Sequence, residues 1–249
     1  MKKWMMLLAM AGLFFSCDGG FSGGSDSSDS SSGTGGSMAR FACIGNYLYT
    51  VDENNLSTFD ISDSTKIVPT SRISANWSTI ETIFPKDSLL FLGSKQGMYI
   101  YNLKNPAKPQ FVYMYSHIVS CDPVVVQGKY AYVTLRTDFD SNFCNRGVNQ
   151  LEVIDVSILT HPRNVGTYTM ENPRGLGIDG TSLFVCDGLD LLVMDASNPL
   201  NLKVVKRMAL DGTPFDVIAK NGILTLSYSA GVKQYAYSND TIQEISTIY

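Results

Sequence analysis

The sequence predicts an all-β fold: a β-propeller of about five four-stranded blades, preceded by a signal peptide and a disordered Gly/Ser tether. Three observations lead to this fold class. A pattern of short strands repeats along the chain, a turn signal precedes the second strand of each repeat, and residues that favour strands are abundant, with 13 Tyr and 12 Phe in 249 residues. No amphipathic stretch of helical periodicity occurs after residue 37.

The repeat is clearest at the end of the third strand of each unit, where an Asp or its replacement precedes a turn. The five endings are Phe59-Asp60-Ile61-Ser62, Tyr101-Asn102-Leu103-Lys104, Ile154-Asp155-Val156-Ser157, Met194-Asp195-Ala196-Ser197 and Tyr235-Ala236-Tyr237-Ser238. Measured at the second residue, the spacings are 42, 53, 40 and 41 residues, and the long interval contains an insertion. A period of ~40–45 residues with four strands per unit is typical of propeller blades.

Each predicted second strand begins directly after a turn signal. The turn pairs are Gly45-Asn46, Lys86-Asp87, Gly128-Lys129, Asp179-Gly180 and Asn221-Gly222. Gly, Asn and Asp tolerate the positive φ that tight hairpins require. Each pair therefore predicts a β-hairpin between the first and second strands of a blade.

The repeated Asp60, Asp155 and Asp195 have two interpretations. Carboxylates at regular intervals could ring a central channel and serve a function. A Ser follows each Asp two residues later, however, which is typical of a turn in which the carboxylate accepts a backbone N–H. We therefore interpret these residues as structural.

The segments Leu151-Glu152-Val153-Ile154-Asp155-Val156-Ser157 and Leu191-Leu192-Val193-Met194-Asp195 resemble the LVIVD repeat of exported bacterial and archaeal proteins. The resemblance covers essentially all of residues 38–249 and is strongest in the third and fourth repeats. It implies a β-propeller and a location in the cell envelope, and it implies no established activity. The last repeat departs from the pattern at Ala236.

Residues 1–16 have the parts of a secretory signal: a basic start, an uncharged apolar run and Ser16 before Cys17. The run is shorter than the ~20 residues needed to span a bilayer. Leu13-Phe14-Phe15-Ser16-Cys17 resembles the bacterial lipobox, which implies that Cys17 is lipidated. An ordinary signal peptide with a chance Cys at its end is the alternative. Residues 17–37 are then the lipidated Cys and a flexible Gly/Ser/Asp-rich linker.

Residues 38–249 are the predicted propeller, with blades at about 38–76, 77–119, 120–171, 172–212 and 213–249. The lipobox and tether are similar to those of lipoproteins from Bacteroidetes-like bacteria. They imply a lipid anchor in the bacterial cell envelope, at the outer membrane or cell surface in preference to the inner membrane. The sequence leaves open whether five blades close alone or form an arc that a second copy completes.

Propeller geometry places the blade-to-blade loops and the loops between second and third strands on one face. The insertion lies in such a loop of blade 3, at residues 136–147. Extra loop length on a rigid scaffold often carries binding residues. The candidate ligand-binding residues on this face are Arg136, Asp138, Asp140, Arg146, Arg174 and Asp187.

Two cysteines fall on the same predicted face. Cys121 begins the first strand of blade 3, and Cys144 lies in the long loop of that blade. In an exported protein this placement predicts a disulfide that fastens the loop to its blade, with two free thiols as the alternative. Cys43 and Cys186 fall in strands and are expected to be small buried side chains.

We identify no catalytic constellation and expect no cofactor. His117 and His161 are predicted on opposite faces without a Cys or carboxylate cluster, so no metal site is expected. The formal net charge of −4, with scattered Lys and Arg, argues against a nucleic-acid partner.

The sequence therefore predicts a membrane-anchored binding or scaffolding module for an envelope protein or glycan. The alternative is an extracellular carbohydrate- or peptide-processing enzyme whose site lies on the same loop-rich face, because loops far apart in sequence can assemble such a site.

Overall fold

Five four-stranded antiparallel sheets make up the described part of the chain, and each sheet is one blade of a β-propeller. The computed structural model describes residues 35–74, 79–117, 123–137, 148–238 and 241–249. Consecutive strands pair within each sheet, and the first strand of each of blades 1 to 4 contacts the first strand of the following blade. The predicted all-β propeller is confirmed. None of the described ranges forms a helix with the length and apolarity of a membrane span.

The strands follow one another in chain order, four to a blade. Blade 1 contains β1 (Phe41–Ile44), β2 (Tyr47–Val51), β3 (Asn55–Asp63) and β4 (Lys66–Ser74), and blade 2 contains β5 (Ile80–Lys86), β6 (Leu89–Ser94), β7 (Gly97–Asn102) and β8 (Gln110–Ser116). Blade 3 contains β9 (Val124–Gln127), β10 (Tyr130–Leu135), β11 (Gln150–Asp155) and β12 (Arg163–Thr169). Blade 4 contains β13 (Pro173–Asp179), β14 (Ser182–Asp187), β15 (Asp190–Asp195) and β16 (Lys203–Ala209). Blade 5 contains β17 (Pro214–Lys220), β18 (Ile223–Tyr228), β19 (Gly231–Tyr237) and β20 (Ile242–Ile248).

All five predicted hairpin turns lie between the first and second strands of a blade, and each contains a residue with positive φ. These residues are Gly45, Asp87, Gly128, Gly180 and the pair Asn221 and Gly222. In every blade a carbonyl of this turn also accepts a hydrogen bond, 2.7 to 2.9 Å long, from the amide that follows the repeated Asp position. The hairpin turn therefore fastens the end of the third strand in all five blades.

The structural interpretation of the repeated Asp residues is confirmed. The carboxylates of Asp60, Asp155 and Asp195 accept the backbone N–H two residues later, at 2.8, 2.9 and 2.8 Å. Asn102 makes the same bond in blade 2 at 3.3 Å. These side chains shape turns and do not ring the channel.

The hydrophobic core lies in the seams between neighbouring blades. Buried clusters join blade 1 to blade 2, blade 2 to blade 3, blade 3 to blade 4 and blade 4 to blade 5. In blade 2, Leu90 and Leu92 face blade 1 and are fully buried. The equivalent positions of blade 1, Leu48 and Thr50, are only half-buried. Among the described residues, no comparable apolar cluster joins blade 5 to blade 1.

The segment 35–38 leads into blade 1 and contacts blades 4 and 5. Gly35 and Ser37 line a narrow space of about 50 Å³ inside the ring, between first-strand residues such as Phe84, Leu176 and Ala219. The hydroxyl of Ser37 donates to Asp216 of β17 at 2.7 Å and accepts the amide of Leu176 of β13 at 2.8 Å. The packed unit therefore includes residues 35–37, which the sequence analysis had assigned to the linker.

Candidate functional site

A cavity of about 400 Å³ lies at the mouth of the channel, on the face where the first strands begin. We call it the mouth pocket. All five blades contribute to it through residues at or just before the start of a first strand, and blades 1 to 3 also contribute through the loops between second and third strands. Its lining residues are Met38, Arg40, Glu53, Thr79, Glu81, Thr82, Lys95, Pro123, Arg136, Arg174 and Phe215.

β-Bulges at the start of three first strands position side chains of the mouth pocket. In β5, the pairing with β6 passes from Ile80 to Thr82 and leaves out Glu81. The pairing of β13 with β14 likewise leaves out Arg174 together with Gly175, and the pairing of β17 with β18 leaves out Phe215. A bulge turns a side chain away from the sheet, and bulges are frequent beside functional sites. The same local irregularity thus serves the pocket in blades 2, 4 and 5.

Arg174 is held by contacts with both neighbouring blades. The hydroxyl of the buried Thr134 in blade 3 donates to the carbonyl of Arg174 at 2.6 Å. The guanidinium carbon lies 5.9 Å from the ring centroid of Phe215 in blade 5, a distance that allows a cation–π contact. These contacts fix the backbone and the head group of one cation in the pocket.

The blade 1 and blade 2 sides of the pocket are also joined. Arg40 donates through Nη2 to the carbonyl of Ile80 at 3.3 Å, and the amide of Ile80 donates to the carbonyl of Glu53 at 3.0 Å. The amide of Lys95 donates to the carbonyl of Thr79 at 3.2 Å. Backbone groups of blade 2 therefore hold the side chain of Arg40 and the loops that carry Glu53 and Lys95.

Asp216 lies next to the pocket and receives three hydrogen bonds. Its carboxylate accepts Ser37 Oγ at 2.7 Å, the amide of Met38 at 3.1 Å and the amide of Val217 at 3.0 Å. Burial raises the pKa of the Asp216 carboxyl, and these hydrogen bonds act in the opposite direction. Gly175 of β13 packs so closely that a Cβ at this position would overlap the backbone of β17.

The sequence-predicted site residues divide into three groups. Arg136 and Arg174 both line the mouth pocket, so the structure brings them together. Asp187 is buried, and its carboxylate accepts the amides of Glu171 and Asn172 at 2.9 and 2.7 Å, which gives it a structural place outside the pocket. Asp138, Asp140 and Arg146 lie outside the described residues, as do Cys17, Cys121 and Cys144.

The sequence analysis did not identify five charged or aromatic lining residues: Arg40, Glu53, Glu81, Lys95 and Phe215. The feature of the sequence that could have identified these residues is their position in the repeat. Arg40, Glu81 and Phe215 lie at the start of a first strand, as Arg174 does, and Glu53 and Lys95 lie in loops between second and third strands, as Arg136 does. Assigning equivalent positions in every repeat would have found them.

The charged groups of the mouth pocket can bind polar ligands. Four cationic side chains and two carboxylates line it, and guanidinium groups bind carboxylate and phosphate groups with two parallel hydrogen bonds. Within the described ranges, no three His, Cys, Asp or Glu side chains are grouped to hold a metal ion.

Comparison with family models finds the LVIVD repeat. The match covers residues 35–72, 120–140 and 146–170, which belong to blades 1 and 3. It includes the motif at Leu151–Ser157 and leaves out the one at Leu191–Asp195. Over these residues the chain matches the LVIVD repeat, the repeat that the sequence motif had suggested. No curated protein matches the sequence.

Solved structures share the fold at low sequence identity. The periplasmic gluconolactonase of Pseudomonas aeruginosa matches with a TM-score of 0.61 and 15% identity, over 82% of this chain and 67% of its own. A proposed 6-phosphogluconolactonase of Bacteroides fragilis matches with a TM-score of 0.64 and 9% identity, over 84% and 69%. BamB of Moraxella catarrhalis matches with a TM-score of 0.52 and 12% identity, over 78% and 55%. At these identities the comparison shows the propeller fold alone.

Proposed function

Because the chain matches the LVIVD repeat and forms a five-bladed β-propeller, we propose that it is a lipid-anchored binding module of the bacterial cell envelope. The mouth pocket is its ligand site, and the partner is an envelope glycan or protein. The observation that carries this proposal is the convergence of all five blades on one polar cavity of about 400 Å³. Small-molecule sites are commonly concave, few in number and built on a rigid frame.

The course of residues 35–38 supports a mouth pocket at the end of the propeller opposite the linker to Cys17. Gly35 lies beside Phe84 and Ala219, far along the first strands, whereas Met38 reaches the mouth pocket where those strands begin. The segment 35–38 therefore runs toward the pocket from the opposite end of the channel. The linker to Cys17 would then leave the propeller at the end opposite the mouth pocket.

The lipid anchor has a direct test. We expect Cys17→Ser to move the protein from the membrane fraction to the soluble fraction and to abolish incorporation of labelled palmitate. Cys43→Ser is the matched control and should leave both properties unchanged. A Cys17→Ser protein that still fractionates with membranes would contradict the anchor and leave the mouth pocket unaffected.

Capture from envelope extract tests the binding role. Full-length protein on beads is compared with the double variant Arg136→Ala/Arg174→Ala, which removes two pocket cations. The matched control is Arg72→Ala/Arg163→Ala, because these two arginines are exposed on the outer strands of blades 1 and 3. We expect a glycan or protein to be retained by the unaltered protein and by the control, and to be lost from the pocket variant.

Two other results of the capture experiment would contradict parts of the proposal. Equal retention by all three proteins would place the binding surface elsewhere on the propeller and overturn the pocket as its site. Retention of nothing by any of them would contradict the binding role.

A second candidate function is an enzyme at the same pocket. Glu53 and Glu81 both line it, and paired carboxylates serve general acid and base chemistry in hydrolases. Two structural neighbours are named for lactone substrates. The test is turnover of sugar lactones and envelope polysaccharides by the unaltered protein and by Glu53→Gln and Glu81→Gln. Turnover that both substitutions abolish would favour the enzyme over the binding module.

A further inference from the structure

The described lining of the mouth pocket carries a net charge opposite to that of the whole chain. The chain has a formal net charge of −4. Among the described residues, Arg40, Lys95, Arg136 and Arg174 line the pocket against Glu53 and Glu81, so that cations outnumber carboxylates by two to one. Each of blades 1 to 4 supplies one of the cations. A concave site lined by an excess of one sign of charge attracts ligands of the opposite sign.

The pocket also has an apolar wall. Phe215 is 40% exposed and reaches the pocket from the bulge of blade 5, under the guanidinium of Arg174. The buried Pro123 lines the side supplied by blade 3. A ligand that matches the pocket therefore offers an acidic group to the arginines and an apolar ring face to Phe215.

The two glutamates restrict the ligand further. A carboxylate accepts hydrogen bonds, so Glu53 and Glu81 suit hydroxyl donors on the ligand. They also lower the positive charge of the pocket. A doubly charged phosphate is more costly to desolvate than a singly charged carboxylate, so a pocket of reduced charge compensates the phosphate less fully.

We propose that the mouth pocket recognises a carboxylate-bearing sugar, such as a uronic acid unit of an envelope glycan. This inference rests on the proposed function and specifies its ligand class. The arginines hold the carboxylate, the glutamates accept hydroxyl hydrogens, and the ring packs on Phe215. A cavity of about 400 Å³ lies within the usual range for small ligands.

Calorimetry on the full-length protein with four probes tests the inference. The probes are glucuronate, glucose, glucose 6-phosphate and a short acidic peptide. We expect glucuronate to bind at least about tenfold more tightly than glucose, because only glucuronate carries the carboxylate. Glucose 6-phosphate and the acidic peptide should bind more weakly than glucuronate. Tighter binding of the phosphate would indicate a phosphate site, and tighter binding of the peptide a peptide site; either result would overturn the inference.

Substitutions separate recognition from folding. Arg174→Ala and Arg136→Ala should each weaken glucuronate binding about tenfold or more, whereas Arg72→Ala and Arg163→Ala should leave it unchanged. Glu53→Gln/Glu81→Gln should instead strengthen glucose 6-phosphate binding, since it raises the positive charge of the pocket. A damaged fold would not produce this gain.

The two proposals can fail independently. If no probe binds but an envelope partner is retained through Arg136 and Arg174, the binding module stands and the sugar ligand is wrong. If glucuronate binds and nothing is captured from envelope extract, the ligand class stands and the scaffolding role loses its support.

Discussion

The hydroxyl of Ser37 lies 2.7 Å from the carboxylate of Asp216, and this bond links the beginning of the described chain to the first strand of the last blade. The same hydroxyl accepts the amide of Leu176 at 2.8 Å, so Ser37 also reaches blade 4. Ser37 is fully buried. The ring is thus fastened by a polar contact at the one seam that, within the described residues, lacks a buried apolar cluster.

We predict that Ser37→Ala lowers the free energy of unfolding by about 1–3 kcal/mol, because it leaves the buried amide of Leu176 without its acceptor and removes a donor from Asp216. Chemical denaturation measures the loss. Ser246→Ala is the control, since its hydroxyl bonds to Gln234 at the surface, and it should change stability by less than about 0.5 kcal/mol.

Hydrogen exchange gives this prediction a local readout. In Ser37→Ala, amides of blades 1 and 5 should exchange faster relative to those of blade 3, because the seam between blades 5 and 1 is the one released. Uniform acceleration in all blades would mean that Ser37 supports overall stability without fastening a particular seam.

Tyr237 links blade 5 to blade 4 on the face of the propeller opposite the mouth pocket. Its hydroxyl donates to Asp179 Oδ2 at 2.5 Å, and its ring packs edge-on against Phe184 at 4.7 Å. Burial, followed by the bond to Asp179, raises the pKa of Tyr237 well above its usual range. The phenol therefore keeps its proton at neutral pH and donates it to Asp179.

We predict that Tyr237→Phe lowers the free energy of unfolding by about 1–2 kcal/mol, since it removes a hydrogen bond to a carboxylate and keeps the ring contact. Tyr249→Phe, at a side chain 85% exposed, is the matched control and should be neutral. Equal stability of the two variants in thermal denaturation would show that the Asp179 contact contributes nothing.

The sequence predicted the elements that depend on local chemistry. The hairpin turns required positive φ at Gly, Asn or Asp, and the Asp turns required a carboxylate two residues before an amide, so both could be recognised from short segments. The blade period followed from their spacing.

The seam and the pocket could not be predicted in this way. Ser37 looks like one more residue of a Gly/Ser linker, and its burial depends on Leu176 and Asp216, which are 139 and 179 residues away in the chain. The bulges that turn Glu81, Arg174 and Phe215 toward the pocket are register shifts between paired strands. Composition and periodicity contain no information about such shifts.

The repeated Asp turns predict a pH dependence of stability. Hydrogen bonds from Ser62, Ser157 and Ser197 hold the pKa of Asp60, Asp155 and Asp195 below the ordinary value of 3.8. A lowered pKa in the folded state contributes stability above pH 3.8, and this contribution is lost as the pH falls through the lowered pKa.

We therefore expect Asp60→Asn/Asp155→Asn/Asp195→Asn to lose less stability than the unaltered protein between pH 4 and pH 2. Asn keeps a side-chain oxygen for the amide and does not titrate. The corresponding triple Ala variant should be less stable at pH 7 as well, because it removes the acceptors. If the Asn variant loses as much stability between pH 4 and pH 2 as the unaltered protein, these three carboxylates are not a source of the acid sensitivity.

Cys186 is predicted to be chemically inert in the folded protein. It is fully buried in β14, and burial, together with the nearby Asp216, raises the pKa of its thiol well above the ordinary 9.0, while Arg174 acts in the opposite direction. The thiolate is the reactive form, so both access and ionisation disfavour reaction. Cys43 is a half-buried free thiol in β1 and serves as the internal comparison.

We expect iodoacetamide at pH 8 to label Cys43 well before Cys186 in native protein, and to label both fully in denaturant. Peptide-resolved mass spectrometry distinguishes them. The Ser37→Ala variant adds a sharper test, because Cys186 lies near Asp216, which Ser37 fastens. If the loss of the Ser37 bonds loosens the seam between blades 4 and 5, where Cys186 is buried, labelling of Cys186 should accelerate more than labelling of Cys43 does. Rapid labelling of Cys186 in the unaltered protein would show that the seam between blades 4 and 5 already opens under native conditions.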